Sequence, residues 1–596
     1  MEEVGEKLYW IEDTCSVYVV EGGGGCIAID CGGLTPAAVA REMGREGVER
    51  LYLTHFHRDQ CSAAPQWKKE GVQVGIPFAE KRFFEEADLL RASYDTYDNY
   101  TAYFPGFSAL EDIGGEWVAD YARIEAEGIE LEVVPLPGHT FGSVGYLFEV
   151  GGRRYLACGD LLSAPGKVRE YFWNQWRYMD FQGHVNLLES LEKAKGLGAD
   201  VVLPGHGAPF EATEEAFAVL QRALEEIYEL FYARPYEYYR PQFRRLSEHV
   251  FEVSNSGANT YIVRDDGGHG LFIDCGYTSN APIAANPHRF IDHLTPYLEP
   301  ELGIVQVEWF LPTHYHDDHL AGLPALQLRY GARVAASPEL KDIIEHPERY
   351  DMPCLVPHQA KVDRVVERAE VFSWRGIDFT IEQFPGQTLY HHLITFAVDG
   401  RKYLAIGDNI SGLSFRGQRD FIHSFIPKNR TPVSSYRDMP QQIKEREPDM
   451  LLTGHGGAVD CDAGKVERWQ QWMDRWAELF TEIIDQPHPN LGMDPHWVEF
   501  YPYKKRIEPG EEVRFEVRVK NVEGERRRCE WCIRATEGVE VTPQQGEIEV
   551  EPGDTVAFEV VARFPEQFRS HALTLTADVT WDGRHLGEIA EAIAYW

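Results

Sequence analysis

The sequence predicts two α/β layered domains in tandem, followed by an all-β module. Three observations carry this. One ordered set of motifs occurs twice, opening with His55-Phe56-His57-Arg58-Asp59-Gln60 and again with His314-Tyr315-His316-Asp317-Asp318-His319. Short apolar strands alternate with stretches of helical periodicity through both halves, the pattern of sheets covered by helices. Past about residue 486 the pattern changes to alternating apolar and polar residues between turn signals.

The bulk properties agree. A chain of 596 residues is far past the size at which a single core keeps growing, so several domains are expected. With 43% hydrophobic residues, each can bury a core of ordinary size. The formal net charge of −38 repels polyphosphate, and no basic patch overrides it, so nucleic acid is not an expected partner. The opening Met1-Glu2-Glu3-Val4-Gly5-Glu6-Lys7 lacks the basic and apolar regions of a secretory signal. No stretch approaches the roughly 20 apolar residues that cross a bilayer. The expectation is a cytoplasmic protein with no membrane partner. Ten scattered cysteines are no disulfide framework. Cys529 and Cys532 form a lone CxxC without a partner pair, in a segment that reads as a strand, so they are read as ordinary side chains.

The elements follow in chain order. Cys26-Ile27-Ala28-Ile29-Asp30-Cys31-Gly32 matches Gly270-Leu271-Phe272-Ile273-Asp274-Cys275-Gly276, an apolar strand ending in Asp and a turn glycine. Leu51-Tyr52-Leu53 and Trp309-Phe310-Leu311 read as buried strands directly before each signature. Next come Pro137-Gly138-His139-Thr140 and Pro385-Gly386-Gln387-Thr388, then Gly159-Asp160 and Gly407-Asp408, then Gly205-His206-Gly207 and Gly454-His455-Gly456. Thr213 to Phe231 reads as a helix, with Thr213 as cap, Glu214 and Glu215 in the first turn, and Phe217, Leu220, Leu224, Ile227 and Phe231 on one face. Pro235 and Pro241 break the chain, which sets a first domain at 1–240. A second, at 245–485, ends in a helical run from about Gly464 to Ile484 whose aromatic residues read as core. Gln486-Pro487-His488-Pro489-Asn490 reads as a linker opening the third region, 486–596. There Val513, Phe515, Val517 and Val519, and Leu573, Leu575, Ala577 and Val579, alternate with other residues, with turns at Pro509-Gly510, Pro552-Gly553 and Asp582-Gly583. This is the pattern of a β-sandwich of immunoglobulin type, an interface or spacer module with no catalytic constellation of its own.

The chemistry sits in the repeated motifs. An HxHxDH run places imidazoles and a carboxylate on one loop, within reach of first-row metal ions, and a carboxylate between two cations offsets their repulsion. The whole ordered set, over roughly 1–240 and 245–485, resembles the metallo-β-lactamase-fold superfamily, in particular its glyoxalase II-like and lactonase-like hydrolases. The resemblance implies an αββα sandwich in each half, with metals at one edge of the paired sheets. For copy one it implies a first site of His55, His57 and His139 with Asp160 bridging, and a second of Asp59, Asp160 and His206 with Gln60 where the family has histidine. For copy two it implies His314, His316 and Asp408 at the first site, where Gln387 replaces histidine, and a complete second site of Asp318, His319, Asp408 and His455. Zinc is the first expectation for the cation, with iron or manganese as alternatives, at one or two ions per domain. A glutamine amide is a weaker ligand than imidazole. Copy one is therefore expected to hold its first ion firmly and its second poorly, and copy two the reverse unless His391 or His392 compensates.

The implied reaction is hydrolysis of an ester, thioester, lactone or related bond of a small molecule by a metal-bound hydroxide, with Asp59 and Asp318 orienting the nucleophile or relaying its proton. One alternative is a single-iron, persulfide dioxygenase-like oxidoreductase using His55, His139 and Asp160. Another is a catalytically silent metal-binding scaffold. Tyr94, Tyr97, Tyr100, Tyr103, Phe104, Tyr171, Phe172, Trp173, Trp176 and Tyr178 either wall a pocket or pack a lid. Arg416, Arg419 and His423 are candidates to hold a substrate anion, and Cys61 is either a reactive thiol or a small buried side chain. Paired domains and a sandwich offer surface for a homo-oligomer.

Overall fold

In the computed structural model the described residues are 1–45, 47–87, 108, 111–174, 182–232, 241–254, 258–276, 290–356, 359–368, 370–411, 422–484, 486–567 and 572–595. The chain divides into two compact units, Met1–Gln242 with Tyr277–Gly303 and Pro324–Arg329, and Phe243–Gly276 with Ile304–Leu323 and Tyr330–Trp596. Among the described residues no helix is long and apolar enough to cross a membrane.

In the first unit a seven-stranded sheet runs in chain order: Glu2–Gly5, Leu8–Glu12, Ser16–Glu21, Cys26–Ile29, Arg50–Tyr52, Gln73–Pro77 and Glu116–Val118. Its first four strands pair antiparallel and the rest parallel. A six-stranded sheet has the order Phe210–Glu211, Val201–Pro204, Arg153–Gly159, Val144–Val150, Ile129–Pro135 and Arg123–Ala126. Strands such as Cys26–Ile29 are buried on both faces, which is why they read as unbroken apolar runs. Ile27 and Ile29 join Tyr146, Ala157 and Leu203 in the core between the sheets. Ala28 and Leu51 face the other way, into a cluster with Trp67 on helix Ala64–Lys69. On the outer face of the second sheet, Leu156 and Val202 pack with Leu188, Leu191, Phe217, Leu220 and Leu224 of helices Gln182–Gly196 and Glu214–Tyr232. The layers are αββα. Thr213 caps as read, Ala216 N donating to its Oγ1 at 3.2 Å. Tyr228 is buried on the core face and Ile227 only half-buried.

The second unit repeats the plan. Its first sheet includes Val250–Ser254, Thr260–Arg264, His269–Ile273, Gln306–Leu311, Arg333–Ala336 and Arg364–Val365; its second includes Val371–Trp374, Ile377–Gln383, His392–Val398, Arg401–Ser411, Met450–His455 and Val459–Asp460. Helix Ala463–Ile483 is capped by Asp462 and buries Val466, Trp469, Met473 and Phe480, as core.

The two sheets of each half are tied at one edge. Tyr18 Oη donates to Pro204 O at 2.8 Å and Tyr146 Oη to Leu53 O at 2.8 Å, while Val144 N donates to Thr54 O at 2.9 Å. Tyr261 Oη donates to Thr453 O at 2.7 Å and His392 N to Thr313 O at 2.8 Å in the second half. This edge is where parallel strands Cys26–Ile29 and Arg50–Tyr52 end side by side, as do Arg153–Gly159 and Val201–Pro204.

The C-terminal strands form a four-stranded sheet, Val498–Tyr501, Glu512–Lys520, Thr555–Arg563 and Glu540–Thr542, and a five-stranded one, Lys504–Arg506, Arg584–Tyr595, Ala572–Trp581, Arg527–Ala535 and Gln545–Val550. Phe515, Val517, Leu575 and Ala577 share one core between them. In strand Arg527–Ala535 the side chains of Cys529 and Cys532 fall on opposite faces, Cys529 buried and Cys532 half-exposed, so they share no cation.

Within this unit Arg430 is buried and fully engaged: Nε donates to Asp494 Oδ1 at 3.0 Å, Nη1 to Glu499 Oε2 at 2.7 Å and Nη2 to His496 O at 2.8 Å. Removing one partner of such a buried pair leaves an uncompensated charge. Arg430→Ala is therefore expected to lower the unfolding free energy by about 3–5 kcal/mol, read by denaturant titration. A change under about 1 kcal/mol, the range of an exposed pair, would contradict that reading.

Candidate metal centres

Each signature begins where a buried strand leaves the sheet. Thr54 N and Oγ1 both donate to the Asp30 carboxylate, at 2.8 Å each, and Thr54 Oγ1 lies 3.0 Å from His55 Nδ1. In the second copy Thr313 N and Oγ1 donate to Asp274 at 2.7 Å each, with His314 Nδ1 3.1 Å away. A threonine hydroxyl has one proton, and here it goes to the carboxylate. The oxygen must then accept from the imidazole Nδ1–H, which leaves the Nε2 lone pair aimed into the site. Neither role was read from the sequence, although Asp30 and Asp274 recur at matching strand ends and Thr54 and Thr313 both precede a signature. His57 and His316, extended at φ −62° and −63°, then start short helices Arg58–Cys61 and Asp317–Leu320, which carry Asp59 with Gln60 and Asp318 with His319.

In copy one the ligand atoms of His55, His57 and His139 lie within 4.8 Å of one another. His57 Nδ1 is 2.9 Å from His139 Nε2, and Asp160 Oδ2 is 3.3 Å from His139 Nε2 and 3.9 Å from His55 Nε2. His206 stands apart from that trio. Its Nδ1 meets Asp160 Oδ1 at 2.8 Å while its Nε2 meets Asp59 Oδ2 at 3.3 Å. Gln60 is buried, with Nε2 3.4 Å from His206 Nδ1. Asp59 is half-exposed and lies 3.6 Å from Arg169 Nη1.

Copy two has two groups of converging atoms sharing Asp408: His314 with His316, and Asp318 with His319 and His455. In the second, His455 Nε2 is 3.3 Å from Asp318 Oδ2 and 3.2 Å from Asp408 Oδ1, and His319 Nε2 is 3.0 Å from Asp408 Oδ1. His319 Nδ1 is held at 2.8 Å by Asp274, the outer carboxylate that fixes a ligating imidazole. Gln387 is buried beside the first group, with Nε2 3.2 Å from His316 Nδ1 and 3.3 Å from Asp408 Oδ2. Neither His391 nor His392 joins a group of converging atoms. His391 stacks on His314 with ring centroids 4.7 Å apart, and His392 Nε2 lies 3.7 Å from Glu339. Gly407, at φ +43°, admits this packing, because a Cβ there would sit 2.4 Å from Thr313 Oγ1.

The donor set fits a divalent cation. The buried Nε2 atom of His55 has no hydrogen-bond partner among the described residues, and a buried, unmet polar atom costs about 1–3 kcal/mol. Burial, then His139, pushes His55 down to about 3, and burial pushes His316 down to about 4, so both rings present lone pairs at neutral pH. Burial works against the Asp160 and Asp408 carboxylates, but the histidines around them hold both well below the usual range. Burial likewise opposes protonation of His206 and His455, and their carboxylate partners raise them to about 10 and about 9.

Around the centres, Glu80 is a further residue the sequence reading missed. Its buried carboxylate accepts from Phe56 N at 2.8 Å and Gly142 N at 3.1 Å, joining the signature loop to the His139 loop. Trp173 lies over His57 with centroids 4.3 Å apart, and Tyr171 and Phe172 beside it are exposed. Cys61 is buried, its thiol on Phe56 O at 3.6 Å and its pKa raised by burial, so it is the small packed side chain rather than a reactive thiol. His423 accepts from Trp469 Nε1 at 3.1 Å and is engaged in the core. Tyr94, Tyr97, Tyr100, Tyr103, Phe104, Trp176, Tyr178, Arg416 and Arg419 lie outside the described residues.

The family model described as "Metallo-beta-lactamase superfamily" matches residues 10–206 and 254–455. Among curated proteins, the chain is 27% identical over 141 residues to a hydroxyacylglutathione hydrolase of Aeromonas salmonicida, covering 24% of this chain and 44% of that protein. It is 23% identical over 217 residues to lactamase-like protein nscB of Arthroderma benhamiae, covering 36% and 39%. The chain thus spans less than half the length of either relative. Among solved structures, a subclass B3 metallo-beta-lactamase of Bradyrhizobium japonicum is 18% identical, covering 39% of this chain and 93% of that one, at a TM-score of 0.30. A metallo-beta-lactamase family protein from Thermus thermophilus is 22% identical, covering 38% and 80%, at 0.29.

The two copies should bind cations with different pH dependence. His319 is held well above the usual imidazole range and His455 at about 9, so each gives up a proton when a cation binds between pH 6 and 8. Zinc affinity of copy two should therefore rise about 100-fold per pH unit over that span, since two protons are released. In copy one His55, His57 and His139 are already neutral, and affinity should stay nearly flat. Chelator competition on His139→Ala and His319→Ala, each leaving one copy intact, measures both slopes; equal slopes contradict the assignment.

Proposed function

Because this chain belongs to the metallo-beta-lactamase superfamily, we propose that it is a metal-dependent hydrolase cleaving an ester, thioester or lactone bond in a small molecule. One observation carries the reading: in each half, ligand atoms from separate stretches of chain lie within 4.8 Å of one another, three imidazoles in copy one and imidazoles with carboxylates in copy two. The likeness to hydroxyacylglutathione hydrolases supports the substrate class.

His55, His57 and His139, with Asp160 beside them, would hold a cation in copy one, and Asp318, His319, Asp408 and His455 in copy two, with His314 and His316 beside Asp408. Zinc is the first choice for so nitrogen-rich a set, ahead of iron or manganese. A divalent cation there supplies Lewis acidity and a nucleophile near neutral pH. The chain's own groups do the rest. Asp318 is partly exposed, and although burial opposes it, His319 and His455 hold its carboxylate below the usual range. It is therefore an acceptor at neutral pH, placed to orient an attacking water and take its proton. Asp59 is the corresponding carboxylate of copy one, steadied by Arg169. Trp173, with Tyr171 and Phe172, offers an apolar wall for an acyl group.

The same reading takes domains at 1–240, 245–485 and 486–596, the last an immunoglobulin-like spacer, a cytoplasmic location, and surface enough for a homo-oligomer. Oxygen chemistry at a single iron fits less well. That chemistry uses two histidines and a carboxylate, whereas His57 Nδ1 stands 2.9 Å from His139 Nε2 and makes a third imidazole of the group.

The test is a panel of ester, thioester and lactone substrates on the zinc-loaded full chain, with oxygen uptake on a persulfide run alongside the iron-loaded chain. Hydrolysis is expected, falling about a thousandfold or more, some 4 kcal/mol of barrier, on His139→Ala or His319→Ala according to which copy turns over. Iron-dependent oxygen uptake with no hydrolysis would overturn the proposal.

A further inference from the structure

We propose that Gln60 and Gln387 are internal amide plugs, each closing one half of its own two-ion cleft. The chain then carries two complementary single-ion centres: the His55, His57 and His139 group in copy one, and the Asp318, His319, Asp408 and His455 group in copy two. The inference rests on the metallohydrolase reading for the positions where ions bind, and adds how many bind and what excludes the others.

Copy two shows the plug most directly. In copy one, His139 Nε2 stands 2.9 Å from His57 Nδ1 and 3.3 Å from Asp160 Oδ2. In copy two the amide nitrogen of Gln387 takes the equivalent place, 3.2 Å from His316 Nδ1 and 3.3 Å from Asp408 Oδ2. The imidazole offers a lone pair there, but the amide offers two protons. Those N–H groups satisfy the two acceptors a cation would need, and they present positive hydrogens to any ion. Turning the amide over would set Oε1 against the Asp408 carboxylate, oxygen against oxygen, so the donor orientation is the stable one. Asn409 fixes the residue by accepting from Gln387 N at 2.8 Å. The amide Oε1 atoms of Gln387 and Gln60 are buried without a hydrogen-bond partner among the described residues, and for Gln387 the two bonds made by its nitrogen offset that cost.

The second position of copy one is closed in a different way. In copy two a single nitrogen, His455 Nε2, meets both Asp318 and Asp408, at 3.3 and 3.2 Å, so their atoms point to one centre. In copy one the two nitrogens of His206 are divided, Nδ1 to Asp160 at 2.8 Å and Nε2 to Asp59 at 3.3 Å and to Thr14 O at 3.1 Å. The ring lies between the carboxylates instead of beside them. Gln60 Nε2 lies 3.4 Å from His206 Nδ1, and its amide stands where copy two has the imidazole of His319. Arg169 Nη1, 3.6 Å from Asp59 Oδ2, adds a positive charge beside that carboxylate. A second cation would have to displace an imidazole from two carboxylates and then sit beside a guanidinium.

Zinc ion itself is the probe. The metal-stripped full chain is titrated calorimetrically with Zn²⁺, and bound zinc is counted by mass spectrometry after gel filtration. Wild type should hold two tight ions per chain. Gln60→His and Gln387→His should each hold three, and the double variant four. Gln60→Leu and Gln387→Leu, which remove the amide without supplying a ligand, should still hold two. Four ions in wild type, a lower count in either leucine variant, or no gain in a histidine variant that keeps the ion of its other copy would overturn the proposal. Turnover is scored separately. Two ions without hydrolysis would remove the hydrolase reading and leave the plugs standing, and hydrolysis by a four-ion chain would do the reverse.

Discussion

A buried carboxylate must be compensated, and each half of this chain is organised around one. Asp160 and Asp408 sit almost out of reach of water, Asp160 just past the end of Arg153–Gly159 and Asp408 inside Arg401–Ser411. Left alone, either would be expensive enough to protonate or to unfold the site. The sheets solve this by delivering imidazoles to the same edge, from three other stretches in copy one and two in copy two, and the tyrosine and backbone bonds that cross between the sheets keep that edge closed. The parallel pairing of neighbouring strands is what permits it, because parallel strands end on the same side. Site and fold are one arrangement, since the groups that would hold a cation also neutralise the carboxylates.

Much of this was legible in the residues. The repeated order of His55, His57 and Asp59, then His139, Asp160 and His206, pointed to a single kind of site made twice, and the doubly buried strands before each signature pointed to layered sheets. Alternation in Val513 to Val519 and Leu573 to Val579 gave the C-terminal sheets. What could not be read was direction. Nothing in the sequence says that His206 divides its nitrogens between two carboxylates while His455 gathers two on one. Nor does it show which way an amide faces. The Asp30–Thr54 and Asp274–Thr313 anchors were visible only as residues, because their role depends on hydrogen bonds between neighbouring strands. Glu80 acts across folded loops and leaves no local pattern at all. His391 and His392, candidates to stand in for a missing ligand, instead serve packing and a remote carboxylate.

The two glutamines give the halves different characters. Imidazole and amide have similar reach, but one presents a lone pair and the other protons. A single substitution would therefore change a place for a cation into an amide hydrogen-bonded through its nitrogen, as at Gln387. That it falls on opposite halves of the cleft leaves copy one with a nitrogen-rich centre behind Trp173, and copy two with a carboxylate-rich centre nearer to solvent. The same unit as copy two carries the C-terminal sheets, fastened through Arg430 to Asp494 and Glu499.

The most direct measurement is anomalous diffraction at the zinc edge from crystals of the zinc-loaded chain. The account predicts one peak among His55, His57 and His139 and one among Asp318, His319, Asp408 and His455. A pair of peaks in each half, or peaks away from these groups, would contradict it.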